Sequence, residues 1–252
     1  MKKATIKDIK SELTGETIEA TRLEELRADS RTGVQNLLKS YEQKQQLLRE
    51  KMQSYTDKRN EEFQMCNTWQ IAGLDEVGRG PLAGPVTTAA VMIPEDVFLP
   101  GLTDSKKLSK RDRAYFYDEI MSRCTVSIGE ASVEEIDEFN IYEATKLAMV
   151  RAVTGLKTTP DHLLVDAMTL PVTIRQTSLI KGDSRSMSIA AASVIAKETR
   201  DEYMKTLHEQ YPQYGFDQHV GYGTSAHLQA MDEYGVLPVH RRSFRPVADR
   251  IY

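Results

Sequence analysis

The sequence predicts an α/β protein, a mixed five-stranded sheet flanked by helices and preceded by an N-terminal helical extension. Two observations carry this. From Thr68 onward, short apolar or alternating segments take turns with longer stretches of helical period, the pattern of a layered α/β structure. Before that point, residues 1–67 contain no Pro and run to Glu, Gln, Lys, Leu and Ala, which favour helix. The chain therefore divides into an extension, 1–67, and a larger domain, 68–252.

In the extension, Thr5-x-x-Asp8 and Thr21-x-x-Glu24 read as capped helix starts. Val34, Leu37, Leu38, Tyr41, Leu48, Met52 and Tyr55 recur at helical spacing, so two short helices and one long one are expected. The plain role for this segment is packing against the larger domain. The sharper role is an extra duplex contact through Asp29–Gly33, at a helix N-terminus whose free amides can meet phosphate.

In the larger domain Trp69–Asp75 is expected as the first strand, with Pro85–Ile93 and Cys124–Ser132 as the second and third. A helix near 109–122 separates the latter two, and the short connections favour antiparallel pairing at this end of the sheet. His162–Asp166 and Val172–Gln176 supply the last two strands. Ile141–Leu156 and Ser184–Tyr211 read as helices, the second packed through Ile189, Ala192, Ile195 and Ala196.

Of 252 residues, 40% are hydrophobic and 28% charged, which is ordinary globular composition. No apolar run reaches the ~18 residues of a membrane helix and Met1–Thr5 opens no secretory leader, so no membrane role and a cytoplasmic location are expected. Cys66 and Cys124 lack the spacing of a zinc site and are expected to stay reduced. A net charge of −4 does not advertise a nucleic-acid binder, but a local cationic stripe is sufficient for phosphate contact. Lys106, Lys107, Lys110, Arg111, Lys181, Arg185, Lys197 and Arg200 are candidates, and Arg241, Arg242, Arg245 and Arg250 make the tail basic. Taken singly, each reads more simply as part of a solvated face, Arg111 and Arg200 above all.

The most informative stretch runs from Asp75 to Pro85, DEVGRGPLAGP. Two adjacent carboxylates can hold a hard cation, and Gly78 and Gly80 let backbone groups approach a phosphate or sugar beside the Arg79 charge. Asp75 and Asp166 both end apolar strands in this reading, and strands adjacent in a sheet lie about 5 Å apart, so the two acids can share a cation. Asp183 precedes a long helix, and from the residues alone it reads as that helix's N-cap before a metal ligand. Tyr222, between Gly221 and Gly223, reads as an exposed turn residue or as a loop aromatic packed on the core. With no serine or cysteine nucleophile beside a histidine in these segments, water is the expected nucleophile.

These eleven residues resemble the first signature of the type 2 ribonucleases H, ribonuclease HII in particular. Asp104–Ser109, Val165–Ala167, Lys181–Ser184 leading into Ile189–Lys197, and His219–Thr224 resemble later signatures of that family, in its order, over about residues 70–235. The resemblance implies the ribonuclease H-like fold, with Asp75, Glu76, Asp166 and Asp183 as the catalytic carboxylates that hold two ions, Mn²⁺ or Mg²⁺. It implies that one ion sits chiefly on Asp75 and Asp183 and activates water, while the other, on Asp75, Glu76 and Asp166, stabilises the leaving 3′ oxygen. Gly78, Arg79 and Gly80 would read the 2′ hydroxyl, Tyr222 would stack at the ribose-to-deoxyribose junction, and Lys106, Lys107, Lys181, Ser184 and Lys197 would contact the backbone. The implied partners are RNA–DNA hybrid and ribonucleotide-containing duplex DNA, cut 5′ of the ribonucleotide to leave 3′-hydroxyl and 5′-phosphate ends, and the enzyme is expected to act as a monomer. Arg79 and Asp183 speak against the sister ribonuclease HIII, and retention of all four acids speaks against a silent hybrid-binding protein.

Overall fold

The computed structural model describes residues 4–15 and 18–251, which leaves Met1–Lys3, used above to argue against a leader, outside the described residues. The chain forms two compact units, Met1–Ser54 and Tyr55–Tyr252.

The first unit holds α1 (Ile6–Thr14), α2 (Ala20–Arg27) and most of α3 (Thr32–Cys66). Helix α1 starts at the expected capping box, in which Thr5 and Asp8 bind each other's backbone amides. The second expected cap is absent. Helix α2 begins at Ala20 behind an uncapped Glu19, so Thr21 lies inside the helix, because alanine extends it one residue ahead of the threonine. Ile9, Leu13, Leu26, Val34 and Leu38 form a small apolar core. Leu48 and Met52, expected on the packed stripe, are exposed.

The second unit is built on a five-stranded sheet in the order β3-β2-β1-β4-β5, with β1 (Ile71–Val77), β2 (Val86–Met92), β3 (Thr125–Ala131), β4 (His162–Asp166) and β5 (Arg175–Leu179). The β1–β2 and β2–β3 pairs are antiparallel and β1–β4 and β4–β5 are parallel, the mixed sheet that the sequence predicts. Helix α4 (Lys110–Arg123) lies between β2 and β3, and α5 (Val133–Thr154) follows β3. The short α6 (Gly182–Arg185) and the long α7 (Met187–Gln210) follow β5. One face of the sheet buries Ala89, Val91 and Ile93 against Phe116, Ile120, Val194 and Ile195. The other buries Ala72, Leu74 and Ala90 against Met149, Ala152 and Val153. Helix α7 packs directly on β1 because Gly73 lacks a side chain: a Cβ there would stand 2.0 Å from the Ser188 carbonyl carbon.

Four boundaries differ from the sequence reading. Strand β1 continues to Val77, so Asp75 sits inside it, opposite Ala89, and does not end it. Strand β5 runs three residues later than expected, because the Gln176 side chain binds both the amide and the carbonyl of Leu170 and holds 170–174 as a turn. Helix α5 starts at Val133, capped by Ser132, and kinks at Asn140, whose φ of 69° and side-chain cap on Tyr142 and Glu143 start the expected Ile141 helix afresh. The single expected helix from Ser184 is two, broken at Ser186, which has extended backbone. Beyond α7, α8 (Phe216–His219), α9 (Ser225–Tyr234) and α10 (Arg245–Ala248) gather around Tyr214, Phe216, Met204 and Val247.

Candidate active site

The parallel β1–β4 register aligns Leu74 with Val165, so Asp75 and Asp166 occupy the next step of neighbouring strands at the same end of the sheet. Asp75, Glu76 and Asp166 each bring a carboxylate oxygen within 4.8 Å of the others. Asp75 is buried, and Glu76 and Asp166 are half-buried. Burial, then the neighbouring Glu76 and Asp166, push the Asp75 carboxyl well above the usual carboxylate range, with hydrogen bonds from the Glu76 amide and Ser193 offsetting part of this. Burial also raises Glu76, partly relieved by Arg79, whose guanidinium lies 3.5 Å away. Three acids packed into one buried corner repel one another, and a divalent cation on their hard oxygens removes that repulsion. The donor set therefore fits the metal that the sequence implies.

Asp183 is not one of this trio and is not an N-cap. It lies in the first turn of α6, where Lys181, in the left-handed conformation with φ 55°, occupies the capping position. Asp183 is nevertheless coupled to the centre: burial, then Asp104 and Asp166, raise its carboxyl, and Lys106 lowers it. The α6 turn is tied to β4 because the Gly182 amide donates to Asp166 Oδ1 at 2.7 Å. Asp104, which the sequence offered only as the start of a signature and not as a site residue, also accepts the Lys106 amide at 2.9 Å and so shapes the Lys106–Lys107 turn.

The loop after β1 rests on two buried arginines. Arg241 donates to the carbonyls of Gly78 at 2.6 Å, Arg79 at 3.0 Å, Gly84 at 2.9 Å and Pro85 at 3.1 Å. Arg200 donates to Pro85 at 3.1 Å, Ala83 at 3.0 Å and Val220 at 2.9 Å. Both are at most 1% exposed, which corrects the solvated reading of Arg200 and the view of Arg241 as part of a basic surface tail. Their hydrogen-bond partners are backbone carbonyls, and the Arg241 guanidinium also lies 5.1 Å over the Phe244 ring. Burial lowers Arg200, and burial together with Arg200 brings Arg241 down to about 9. Gly78 needs its φ of 92°, and a Cβ there would meet Arg200 Nε at 2.3 Å. No periodicity marks an arginine whose partners are carbonyls, most of them more than a hundred residues away.

Tyr222 is 47% exposed and lies over the loop, such that a Cβ on Gly80 would stand 3.2 Å from its ring. Its backbone is held by a histidine chain that the sequence does not reveal. The Leu237 amide donates to His240 Nδ1 at 2.9 Å, which leaves the His240 proton on Nε2, facing His227 Nε2 at 3.0 Å. The remaining His227 proton, on Nδ1, then donates to the Tyr222 carbonyl at 2.9 Å. Burial depresses both rings to about 4 from an ordinary 6.5, with each ring further lowered by a histidine neighbour. The unfolded chain takes up these protons first, so the stability they provide is full above pH 6.5 and falls as pH drops from 6.5 towards 4. Thermal unfolding followed across pH 4–7 is expected to show that decline, with a shallower slope in His240→Asn; equal slopes would contradict it.

The remaining sequence candidates lie on three segments, the 104–109 loop, the α6 turn and α7. Lys106, Lys107 and Lys181 are exposed and Ser184 is half-buried, its hydroxyl donating to the Lys181 carbonyl at 2.9 Å. Lys197 is bound to Asp201 at 2.7 Å. Ser105 reaches Ser193 on α7 at 2.7 Å and anchors the loop that carries the first lysine pair.

Comparison with known proteins agrees with this geometry. Residues 72–247 match the family model for ribonuclease HII and residues 5–65 match that for the ribonuclease HII N-terminal domain. The chain is 52% identical to the ribonuclease HII of Bacillus cereus strain G9842, covering 100% of this chain and 99% of that one. It is 55% identical to that of Bacillus mycoides strain KBAB4, covering 92% of each. Among solved structures, the ribonuclease H2 of Pyrococcus horikoshii OT3 matches with a TM-score of 0.62 and 25% identity, over 71% of this chain and 95% of that one. No helix among the described residues is long and apolar enough to cross a membrane. On this coverage the chain belongs to the ribonuclease HII family and is a ribonuclease H, an endonuclease of RNA–DNA hybrids.

Proposed function

We propose that this enzyme, beyond cutting the RNA strand of hybrids, cleaves 5′ of single ribonucleotides embedded in duplex DNA and leaves 3′-hydroxyl and 5′-phosphate ends. The observation that carries this reading is the acid cluster on β1 and β4 followed directly by the Gly78–Gly80 turn, over which the Tyr222 ring lies. Asp75, Glu76, Asp166 and Asp183 would hold Mg²⁺ or Mn²⁺, since oxygen donors without sulfur or imidazole disfavour zinc. Two such ions, when bound, supply activation of the attacking water and stabilisation of the leaving 3′ oxygen.

The chain's own residues supply selection and placement. Glycine at 78 and 80 leaves the backbone of the turn open to close approach, so its polar groups can meet a 2′ hydroxyl, the group that separates RNA from DNA. Arg79 stands 41% exposed by its side chain beside Glu76 and can meet a phosphate there. Tyr222 offers a ring face on which the following deoxyribose can rest. Lys106, Lys107, Lys181, Ser184 and Lys197 are proposed contacts to the strand backbone. Lys197 must leave Asp201 to serve, and Asp183, outside the trio, would join Asp75 as a ligand when an ion is bound.

Cleavage of two end-labelled duplexes tests the reading, one with a lone ribonucleotide and one with a continuous RNA strand. Both are expected to be cut in Mg²⁺ or Mn²⁺ and neither in chelator. In Tyr222→Ala, cleavage at the lone ribonucleotide is expected to fall about tenfold or more, by the usual worth of a lost ring contact, and the hybrid less. Cutting of the continuous hybrid alone, or an equal loss on both duplexes, would reject junction reading.

A further inference from the structure

Beneath the α6–α7 break lies a buried carboxylate that the catalytic scheme does not use. Glu62, on the part of α3 that belongs to the second unit, is 1% exposed. It accepts hydrogen bonds from the Ser188 amide at 2.8 Å, the Ser188 hydroxyl at 3.2 Å and the Ser186 hydroxyl. Arg59, one turn earlier on the same helix, pairs with it at 2.6 Å and also donates to the Ile93 carbonyl at 2.9 Å, with its guanidinium over the Trp69 ring. The burial of a carboxylate requires partners of this kind, and here they converge on two consecutive helix ends.

Ser186 is the joint between those ends. Its amide closes α6 by donating to the Gly182 carbonyl at 2.7 Å, and its hydroxyl oxygen opens α7 by accepting from the Ile189 amide at 3.1 Å. That same hydroxyl gives its hydrogen to Glu62, which also takes the second free amide of α7. Asp183 lies three residues before Ser186 on a four-residue helix whose other end is tied to Asp166 through Gly182. Strand β1 touches the same place, since Gly73, two residues before Asp75, is pressed against the Ser188 backbone.

We propose that Glu62 is a positioning residue for the metal centre, whose buried carboxylate fixes the α6–α7 joint and thereby sets Asp183 against Asp75 and Asp166. This rests on the reading of Asp183 as a ligand. The carboxylate itself touches neither substrate nor cation. It acts through Ser186 and Ser188, and the Arg59 guanidinium at 2.6 Å keeps it aimed.

The test is calorimetric titration of substrate-free protein with Mn²⁺, together with kcat and KM on the hybrid and the melting temperature in chelator. Glu62→Ala and Ser186→Ala are each expected to weaken Mn²⁺ binding about tenfold and to lower kcat, with KM for the duplex changed less than twofold. Glu62→Gln keeps an oxygen for the Ser188 amide and the Ser186 hydroxyl, and is expected to restore Mn²⁺ affinity to within about threefold even where loss of the Arg59 ion pair lowers the melting temperature. If Ser186→Ala, the milder truncation, lowers only the melting temperature and binds Mn²⁺ as the parent does, the proposal is overturned. The same holds if Glu62→Gln binds Mn²⁺ as poorly as Glu62→Ala. Asp183→Asn separates the two claims: unchanged Mn²⁺ binding and turnover there removes Asp183 as a ligand, whereas a defect there with none in the Glu62 and Ser186 variants rejects the positioning role alone.

Discussion

Asp75→Asn is expected to lower kcat on an RNA–DNA hybrid by about a thousandfold or more while duplex affinity stays within a few-fold, since loss of a metal-dependent stabilisation of several kcal/mol corresponds to such a factor. The side chain keeps its shape, so the loss reports charge and not packing. The same variant is expected to melt no lower, and in chelator higher, than the parent. The sign follows from the environment. Burial and two neighbouring acids raise the Asp75 carboxyl, so above its ordinary range the folded state carries a repulsion that the unfolded chain escapes. Asparagine removes it. A variant that is inactive and also markedly less stable would mean that Asp75 is chiefly structural.

Arg241→Met is expected to have the largest effect on stability, lowering it by about 3–5 kcal/mol through the loss of a buried charge-assisted cluster. The fork of Arg241 reaches four carbonyls of the Gly78–Pro85 loop, and methionine removes its donors from all of them, leaving only Pro85 with a guanidinium partner, Arg200. At the usual sensitivity for a domain of this size, the melting temperature falls by roughly 10 °C. Arg241→Lys is expected to recover only part of this, because one ammonium cannot reproduce a planar fork spanning those carbonyls. Cleavage by the lysine variant should fall more on the single-ribonucleotide duplex than on the hybrid if the loop reads the ribose. Parent-like melting in Arg241→Met would show that the loop holds its own shape.

The sheet was legible because its strands are short apolar runs between turn residues, and the pairing β1–β4 followed from where Asp75 and Asp166 fall. Strand β5 was misplaced because an edge strand reading Arg-Gln-Thr-Ser-Leu carries no apolar signal. The acids were legible in kind, and Asp75, Glu76 and Asp166 do converge. The supports around them were not legible. Arg200, Arg241, Glu62, His227 and His240 are polar residues in helices or in the tail, and their meaning lies wholly in carbonyls, hydroxyls and rings that the fold brings to them. The break at Ser186 was hidden for the same reason, since local propensity favours one continuous helix and the distant Glu62 joins the Ser186 cap in rewarding its interruption.

The most direct test of the metal centre is a crystal of the enzyme with a non-cleavable hybrid in Mn²⁺, with anomalous scattering used to locate the ions. Two manganese positions are expected, one held by Asp75, Glu76 and Asp166 and one reaching Asp183 beside the scissile phosphate. Absence of manganese from the Asp75–Glu76–Asp166 trio, or Asp183 left unliganded with the hybrid in place, would contradict the account.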